Sequence, residues 1–380
     1  MTTPPMRVAM MLGSDGPGGA EMVVLRLSSE LRARGNEVVP VLLHGGLGWL
    51  GARYREAGFD PQMVHLGRSW IDFACVRELH ALFRAQSIDV VHSHEFDMAV
   101  YGAAAAKRAH VPHVVTMHGG ITVTKSMKRR IALRWAMRRT NATVAVSAAT
   151  QKQFAQDLGL DAGAFQVVHN GVPVAVGDPT RVRKEFNFAD SDVVILAVGT
   201  LERNKGHHLL LEALVRLGGA AAGVPWKLII AGGRGGDQQQ PLLEYVRAQG
   251  LDGRVHIVTG RSDIADLQAL ASVFAMPSLW EGLPMAVLEA MVAGNAIVAS
   301  ATGGIPEAID DGRDGVLVPP GDVGRLSEAL GRLLADPQRR SQLGSAARAR
   351  AQREFVASVM AERYESLYRQ ALSRSTERQA

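Results

Sequence analysis

The sequence predicts an α/β protein made of two Rossmann-like, doubly wound domains. Short apolar runs alternate with helix-like stretches along the whole chain of 380 residues. The runs are continuous rather than alternating in polarity, which indicates strands buried on both faces, as in a parallel sheet. A stretch rich in Gly and Pro, residues 170–180, separates two halves in which the alternation starts again. We therefore expect two domains that face a cleft, with ligands at the carboxyl ends of the strands.

In the first half, six apolar runs are followed by polar or Gly-rich turns and then by helix-like stretches. This order predicts a sheet of parallel strands joined by helices. The predicted strands are Arg7–Leu12, Val38–Leu43, Gln62–Leu66, Asp89–His92, His113–Met117 and Thr143–Val146. The predicted helices include Ala20–Arg34, Val76–Gln86, Met98–His110 and Lys128–Arg138.

The second half repeats the pattern from residue 193 onward. Six more apolar runs, bounded by Gly, Pro or polar residues, predict the second sheet. The domains are accordingly placed at residues 1–174 and 175–360, and residues 361–380 form a helix-like tail. The predicted strands are Val193–Val198, Trp226–Ala231, Val255–Val258, Val273–Met276, Ala296–Ala299 and Gly315–Val318.

The composition excludes several classes of protein. Hydrophobic residues make up 47% of the chain, which is typical of a globular protein and too high for a disordered one. Cys75 is the single cysteine, so neither an intrachain disulfide nor a Cys-rich zinc site is expected. No apolar run approaches the roughly 18 residues that span a bilayer. These features predict a cytoplasmic protein.

The positive charge is concentrated in the first half. Residues 1–175 contain 19 Lys and Arg against 13 Asp and Glu, whereas the remainder contains 23 against 24. This asymmetry has two interpretations. It is either a solvated basic face or a surface that attracts an anionic partner, such as a phosphate, an anionic membrane or a nucleic acid.

The segment Lys125–Arg139 contributes most to this excess, with seven Lys or Arg and no acidic residue. Met127, Ile131 and Trp135 form one stripe of the helix predicted there. A basic helix with a Trp suits the surface of an anionic membrane. Packing with a solvated basic face is the alternative. Nucleic acid is not an expected partner, because no aromatic platform accompanies the charge.

The turn after the first strand, Gly16–Glu21, is rich in glycine and leads into a helix. Gly18 and Gly19 would let the backbone approach a ligand closely, and a helix N-terminus offers N–H groups to an anion. A site for NAD is not expected, because the G-x-G-x-x-G pattern and an acidic residue at the end of the second strand are both missing. A turn that serves packing alone is the alternative.

The turn after the first strand of the second half, Gly199–Gly206, contains Arg203 and Lys205. Both side chains can project from the carboxyl end of that strand, where they would neutralise a diphosphate. The alternative is a solvated Arg and Lys on a turn.

Glu281 and Glu289 lie on either side of a predicted helix start at Pro284. The helix N-terminus would hold a phosphate with backbone N–H groups. The two carboxylates would then accept hydrogen bonds from sugar or ribose hydroxyls. A helix cap with an exposed Glu is the alternative, although the apolar run at residues 290–294 leaves that helix little solvent-facing surface.

Taken together, these motifs resemble family 4 of the retaining glycosyltransferases, which have the GT-B fold. The pair Glu281 and Glu289 matches the two-glutamate signature of that family. Leu283-Pro284 stands where the family commonly has Phe-Gly, which leaves both glutamates in place. The resemblance covers nearly the whole chain and is most specific in the second half. It is carried by Gly18–Glu21, Asp89–His92, Thr116–Gly119, Val146–Ser147, His169–Val172, Gly199–Gly206, Pro277–Pro284, Glu289–Met291, Gly303–Glu307 and Gly315–Asp322.

The resemblance implies a nucleoside-diphosphate sugar donor on the C-terminal domain, an acceptor on the N-terminal domain, and a last helix that returns to the N-terminal domain. Arg203 and Lys205 would bind the diphosphate, Glu281 a hydroxyl of the donor sugar, and Glu289 the ribose. His118 would contact the transferred sugar. The implied catalytic residues are His118, Arg203, Lys205 and Glu281. The implied donor-binding residues are Gly18, Gly19, Gly199, Arg203, Lys205, Gly260, Arg261, Glu281, Gly282, Leu283, Pro284, Met285 and Glu289.

A metal ion is not expected. The D-x-D string Asp190–Asp192 precedes its strand, so it lies at the wrong end of the sheet to bridge a diphosphate. A zinc site was considered for His92, His94, Glu95, His113 and His118. It is not expected, because His92 and His94 lack a third ligand at metal-site spacing. No cofactor is predicted besides the donor substrate, and Arg203 and Lys205 would meet the charge that develops on the leaving phosphate.

The sequence thus predicts a retaining, metal-independent glycosyltransferase. It would move a hexosyl group to a glycan or a lipid-linked glycan in polysaccharide or glycoconjugate biosynthesis, as a peripheral enzyme at the cytoplasmic face of a membrane. Two alternatives stay open, namely a sugar-nucleotide epimerase of the same fold and a catalytically silent protein that binds a sugar nucleotide.

Overall fold

A computed structural model of the protein describes residues 4–43, 48–67, 72–119, 126–218, 223–233 and 236–377, with side chains to residue 375. The chain divides into two compact units. The first comprises Met1–Gly171 together with Ala357–Ala380, and the second comprises Val172–Val356. That the first unit binds the acceptor and the second the donor stays a prediction.

The first unit contains a parallel sheet of seven strands in the described residues, in the order β3-β2-β1-β4-β5-β6-β7. All six strands predicted in this half are present. A seventh strand at the sheet edge was not predicted. The strands are β1 Arg7–Leu12, β2 Glu37–Leu43, β3 Gln62–Val64, β4 Val90–His94, β5 His113–Met117, β6 Ala142–Ala145 and β7 Phe165–Val167.

The second unit contains a parallel sheet of six strands within its described ranges, in the order β10-β9-β8-β11-β12-β13. The six predicted strands all appear, with ends that differ from the prediction by at most one residue. They are β8 Val193–Val198, β9 Trp226–Gly232, β10 Val255–Thr259, β11 Val273–Met276, β12 Ala296–Ser300 and β13 Val316–Val318.

Helices connect successive strands and cover both sheets, which accounts for the continuous apolar runs in the strands. In the part of the chain that the structure describes, they are α1 Gly19–Ala33, α2 Gly48–Glu56, α3 Phe73–Ala85, α4 Glu95–Ala109, α5 Met127–Met137, α6 Ala148–Leu158, α7 Pro179–Glu185, α8 His207–Leu217, α9 Gln239–Ala248, α10 Ile264–Leu270, α11 Met285–Ala293, α12 Ile305–Ala308, α13 Val323–Ala335, α14 Pro337–Glu354 and α15 Ala357–Glu377.

Helix α15 belongs to the first unit, where it contacts α1 and β5. Two buried tyrosines of this helix reach into the sheet. The hydroxyl of Tyr368 lies 2.6 Å from His92 Nδ1, and that of Tyr364 lies 3.0 Å from Thr116 Oγ1. The last helix therefore fixes side chains of β4 and β5 near the carboxyl ends of these strands.

The strand order fixes where a ligand is expected in each unit. In a doubly wound sheet, ligands bind where the direction of the strand order reverses. That point lies between β1 and β4 in the first unit and between β8 and β11 in the second. Of the described helices, none is both long and apolar enough to cross a membrane.

Candidate active site

The loops that follow β8 and β11 in the second unit are joined at the predicted ligand position. Residues Arg203–Lys205 form a 3-10 helix, and Gly206 adopts a left-handed conformation with φ 68° before α8 begins. A Cβ atom on Gly206 would overlap the carbonyl oxygen of Pro277. The backbone N–H of Leu279 donates to the carbonyl of Asn204 at 2.8 Å. Glycine is thus required where the two loops meet.

This contact brings together two residues that the sequence analysis selected separately. Lys205 Nζ donates to both carboxylate oxygens of Glu281, at 2.8 and 3.0 Å. The hydroxyl of Ser278 donates to Glu281 Oε1 at 2.7 Å. The Glu281 side chain is 7% exposed and that of Lys205 is 21% exposed. A carboxylate and an ammonium group therefore lie together, largely shielded from water, at the reversal of strand order.

Ser278 was missed as a site residue by the sequence analysis. Its position gave a signal, because it lies two residues after the end of β11 and three residues before Glu281 on the same loop. With its hydroxyl bound to Oε1, Ser278 orients the carboxylate, and Lys205 binds both of its oxygens.

A third loop, after β12, holds the other side of the Glu281 backbone. Gly303 has φ 54°, and a Cβ atom there would overlap the carbonyl oxygen of Glu281. The N–H of Gly304 donates to the carbonyl of Gly282 at 2.6 Å. The loop after β11 is therefore held by the loop after β8, at Leu279, and by the loop after β12, at residues 281–282.

The remaining predicted residues of the second unit lie around this pair. Arg203 is exposed on the 3-10 helix. Gly199 lies beside the Lys205 side chain, because a Cβ atom placed on Gly199 would lie 3.6 Å from Lys205 Cγ. Leu283 is buried. Pro284 precedes α11 as its N-cap instead of lying in its first turn, so the helix begins at Met285. Glu289, on α11, is partly buried and has interactions of its own.

Arg261 is placed differently from the rest. Its guanidinium group is bound by Glu185, with Nη2 donating to Oε2 at 2.9 Å, and by Asp263, with Nε donating to Oδ1 at 2.8 Å. These hydrogen bonds raise the pKa of Arg261, with Glu185 the main cause. The side chain is therefore used in an ion-pair cluster. The predicted contact of Gly260 and Arg261 with a donor stays a prediction.

In the first unit, Gly18 is the N-cap of α1 and Gly19 is its first residue. The buried side chain of Glu21 folds back to this helix end, and a Cβ atom on Gly18 would overlap Glu21 Oε2. An acidic residue in this place stabilises the N-terminus of a helix. A side chain at residue 18 would displace the end of the Glu21 side chain. The predicted contact of Gly18 and Gly19 with a donor stays a prediction.

His118 lies at the end of a chain of side chains that starts in the sheet. His94 Nε2 lies 3.2 Å from Met10 Sδ, and His94 Nδ1 lies 2.8 Å from His118 Nε2. Burial lowers the pKa of both rings, that of His118 to about 4, so both are neutral at pH 7. The Met10 sulfur only accepts, so His94 carries its proton on Nε2 and His118 donates from Nε2. His118 Nδ1 is then a buried acceptor that has no partner in the described residues.

Glu95 holds the backbone of His118 and was considered in the sequence analysis only as a metal ligand. It follows β4 directly at the reversal of strand order, and its φ of 63° turns the chain from strand to helix without a loop. Its Oε1 accepts the backbone N–H of His118 at 3.1 Å. Burial raises the pKa of Glu95 to about 7. The hydrogen bond from His118 lowers this pKa in part, and the nearby charge of Glu21 raises it.

The histidines around Glu95 bind to each other and to hydroxyl groups. His92 lies between Tyr368 and Thr116, at 2.6 and 2.8 Å, and His113 Nε2 lies 2.8 Å from Ser93 Oγ. In the described part of the chain, no group of three or more His, Cys, Asp or Glu side chains is arranged to hold a metal ion.

Exchanging Glu95 for glutamine tests its protonation. Glutamine keeps an acceptor for the His118 N–H but cannot ionise. The native pKa of about 7 lies above the ordinary 4.5. The native state therefore binds this proton more tightly, and wild-type stability should fall as the pH rises from 4.5 through 7. We expect Glu95→Gln to lack this fall. Between pH 5 and 8, the free energy of unfolding of the variant should therefore rise by about 2–3 kcal/mol relative to that of wild type. Urea unfolding at several pH values measures it, and parallel stability curves for the two proteins would contradict it.

Models of known protein families match both halves of the chain. Residues 17–176 match the family model described as Glycosyltransferase Family 4, and residues 178–350 match the one described as Glycosyl transferases group 1. Alpha-maltose-1-phosphate synthase of Mycolicibacterium smegmatis is 30% identical over an alignment of 401 positions, which covers 96% of this chain and 99% of that protein.

Solved structures show the same fold. Anabaena Alr3699/HepE in complex with UDP matches with a TM-score of 0.83 at 23% identity, covering 95% of this chain and 99% of that chain. The complex of the same protein with UDP-glucose matches with a TM-score of 0.81. The two parallel sheets thus have the GT-B fold, and the chain belongs to glycosyltransferase family 4.

Proposed function

We propose that the protein is a retaining glycosyltransferase that moves a hexosyl group from a nucleoside-diphosphate sugar to a glycan or a lipid-linked glycan, without a metal ion. The observation that carries this proposal is the shielded Lys205–Glu281 pair at the reversal of strand order, with Arg203 exposed beside it. A diphosphate needs cations, and a sugar needs carboxylates that accept from its hydroxyls. This site offers both within one cluster.

Donor binding would exchange partners within the cluster. The ammonium group of Lys205 would turn from Glu281 to the diphosphate, and the exposed guanidinium group of Arg203 would bind the diphosphate as well. Glu281, still held by Ser278 at Oε1, would then accept a hydrogen bond from a sugar hydroxyl. Glu289 would accept hydrogen bonds from the ribose hydroxyls. The UDP and UDP-glucose complexes of Anabaena Alr3699/HepE support a nucleotide-sugar donor of this class.

The reaction would place charge where the cations lie. The bond between the anomeric carbon and the phosphate oxygen breaks, and its electron pair leaves with the diphosphate. The acceptor hydroxyl oxygen bonds to the same face of the anomeric carbon, and its proton ends on the released diphosphate or in water. Arg203 and Lys205 are positioned to stabilise the negative charge that develops.

His118 would contribute from the first unit. Its Nδ1 is an acceptor without a partner in the described residues, and the rest of the ring is held by His94 while the backbone is held by Glu95. A buried acceptor of this kind is costly unless a ligand satisfies it. We assign it a hydroxyl group of the transferred sugar.

The acceptor and the place of action are proposed from charge and from relatives. The basic residues of the chain exceed the acidic ones in the first half. That excess suits an acceptor that carries phosphate at an anionic membrane, so the enzyme would work peripherally at the cytoplasmic face. Polysaccharide or glycoconjugate biosynthesis is the setting that the family relatives suggest.

A panel of nucleotide sugars tests the function. The protein is incubated with UDP-, GDP- and ADP-linked hexoses, and release of the nucleoside diphosphate is followed. Release with transfer to an added glycan, and a product whose anomeric configuration by NMR equals that of the donor, is the expected result. A free sugar epimer would indicate the epimerase, an inverted product would contradict retention, and binding without turnover would indicate a silent binding protein.

Turnover should survive removal of divalent metal ions. The cations of the site are Arg203 and Lys205, and the D-x-D string Asp190–Asp192 precedes β8, at the amino end of that strand. We expect the rate in EDTA to equal the rate in added magnesium or manganese, within about twofold. Loss of the rate in EDTA with recovery in either metal would contradict the metal-independent mechanism.

A further inference from the structure

Helix α5 in the first unit is buried on one face and exposes apolar residues on the other. Leu133, Ala136 and Met137 are buried, where the helix packs against α4 and α6. Three apolar side chains on the opposite side, spaced four residues apart, share one face of the helix. These residues, named here the α5 stripe, are Met127, Ile131 and Trp135, and they are 65%, 63% and 36% exposed.

The α5 stripe differs from the other exposed apolar residues of the described chain. Phe73, Val174, Val176 and Leu279 are also exposed, but they lie on other elements. Single exposed apolar residues are normal on a protein surface, whereas a continuous stripe indicates a contact surface.

The charges that border the α5 stripe are of one sign. No acidic residue occurs between Met127 and Arg139. Lys128, Arg138 and Arg139 are exposed, and the Arg139 guanidinium lies 4.6 Å from the centre of the Trp135 ring. Lys125, which the sequence analysis included in this segment, lies outside the described residues.

Two other arginines of the segment have structural contacts. Arg134 Nη1 donates to the carbonyl of Leu158 at 3.0 Å, and the Arg129 guanidinium lies 4.8 Å from the centre of the Phe96 ring. These side chains tie α5 to its neighbours. Arg138 and Arg139 lie exposed at the C-terminal end of the α5 stripe.

We propose that the α5 stripe inserts into the interface of a bilayer that contains anionic lipid, with Arg138 and Arg139 contacting lipid phosphates. An apolar face bordered by cations, including a Trp, is what the headgroup region of such a bilayer accommodates. A partner that offers charge alone would leave the apolar stripe in water, and a neutral apolar partner would leave the cations unpaired. An anionic lipid surface satisfies both.

The inference rests on the proposed function, because docking at a membrane would bring the enzyme to a lipid-linked acceptor. The α5 stripe begins at Met127, nine residues after His118. An extended chain of that length spans at most about 30 Å. Docking of α5 would therefore keep His118 within about 30 Å of the bilayer surface.

Vesicle sedimentation of the full-length protein tests the inference. Wild type should sediment with vesicles of phosphatidylcholine and phosphatidylglycerol and remain in solution with phosphatidylcholine alone. Met127→Ser with Ile131→Ser should lose most of the sedimentation, and so should Arg138→Gln with Arg139→Gln, since each cation near the surface contributes roughly fivefold in binding. Phe73→Ser and Arg108→Gln, which change an exposed apolar residue and an exposed cation elsewhere in the same unit, are the matched controls and should bind as wild type does.

Insertion has its own readout. Lipids with brominated acyl chains should quench Trp fluorescence in wild type, and the quenching should be lost in Trp135→Phe. Absence of sedimentation with either vesicle, or equal losses in the control variants, would overturn the proposal, as would binding without quenching. Nucleoside-diphosphate binding measured by calorimetry in the same variants should stay unchanged. A failure of the proposed donor chemistry is thereby distinguished from a failure of membrane docking.

Discussion

Replacing Lys205 with methionine is expected to lower the rate of glycosyl transfer by about 10²–10³-fold, the usual effect of removing one preorganised donor at a developing negative charge. The Lys205 ammonium is held 2.8 Å from Glu281 and largely shielded from water, so it has only to turn from Glu281 to a bound diphosphate. Methionine keeps the length of the side chain and removes the charge. Steady-state kinetics of nucleoside-diphosphate release measure the loss.

The same substitution has an effect on stability that a double variant isolates. Without Lys205, the carboxylate of Glu281 remains largely buried with Ser278 as its partner, which we expect to cost about 1–2 kcal/mol in a partly exposed pair. Lys205→Met combined with Glu281→Gln should recover much of this cost without recovering activity. Lys184→Met, at an exposed lysine of α7, is the control and should behave as wild type in both assays. A rate for Lys205→Met within a few-fold of wild type would remove Lys205 from the mechanism.

The strands could be predicted from the sequence because their burial is a local property of the chain. β1 and β8 have the same ends as predicted, since their apolar runs are continuous and end at polar or Gly-rich turns. β7 was missed because the edge strand Phe165–Val167 has only Phe165 buried, which leaves no run to recognise. Helix α4 starts three residues before its predicted start. The chain turns from β4 into α4 at Glu95, which has a left-handed conformation. A turn of this kind is expected from sequence only at Gly or Asn.

The sequence selected candidate site residues one at a time, whereas their contacts could not be predicted from it. Lys205 and Glu281 were selected from separate loops with separate roles, for diphosphate and for sugar. Their pairing depends on β8 and β11 being neighbours in the sheet, which joins residues 76 positions apart. The support of His118 by Glu95 likewise depends on β4 and β5 being neighbours. Motifs show which side chains have useful chemistry, whereas strand order decides which of them meet.

Replacing Gly303 with alanine should disrupt the site without touching any polar side chain. A Cβ atom at this position would overlap the carbonyl oxygen of Glu281, which is backbone and cannot rotate away. The overlap must therefore displace either the loop after β12 or residues 281–282, where Gly304 binds Gly282. We expect a loss of about 2–4 kcal/mol in the free energy of unfolding. Because a shift of about 1 Å in a reacting group costs as much as 10²-fold, a similar fall in kcat/KM should accompany it.

Gly312→Ala is the matched control for this change. Gly312 has φ 73°, also left-handed, but no atom lies within 4 Å of the place where its Cβ would be. Both variants carry the cost of a left-handed alanine, about 1–2 kcal/mol, so the difference between them reports the overlap with Glu281 alone. Urea unfolding and the rate of nucleoside-diphosphate release, measured on both variants, give that difference. If the two alanines have equal effects, the backbone conformation accounts for the whole loss, and the loop after β12 does not hold Glu281 in place. A larger loss of both stability and rate in Gly303→Ala means that the carboxylate of Glu281 is positioned by a glycine 22 residues away on the next strand's loop.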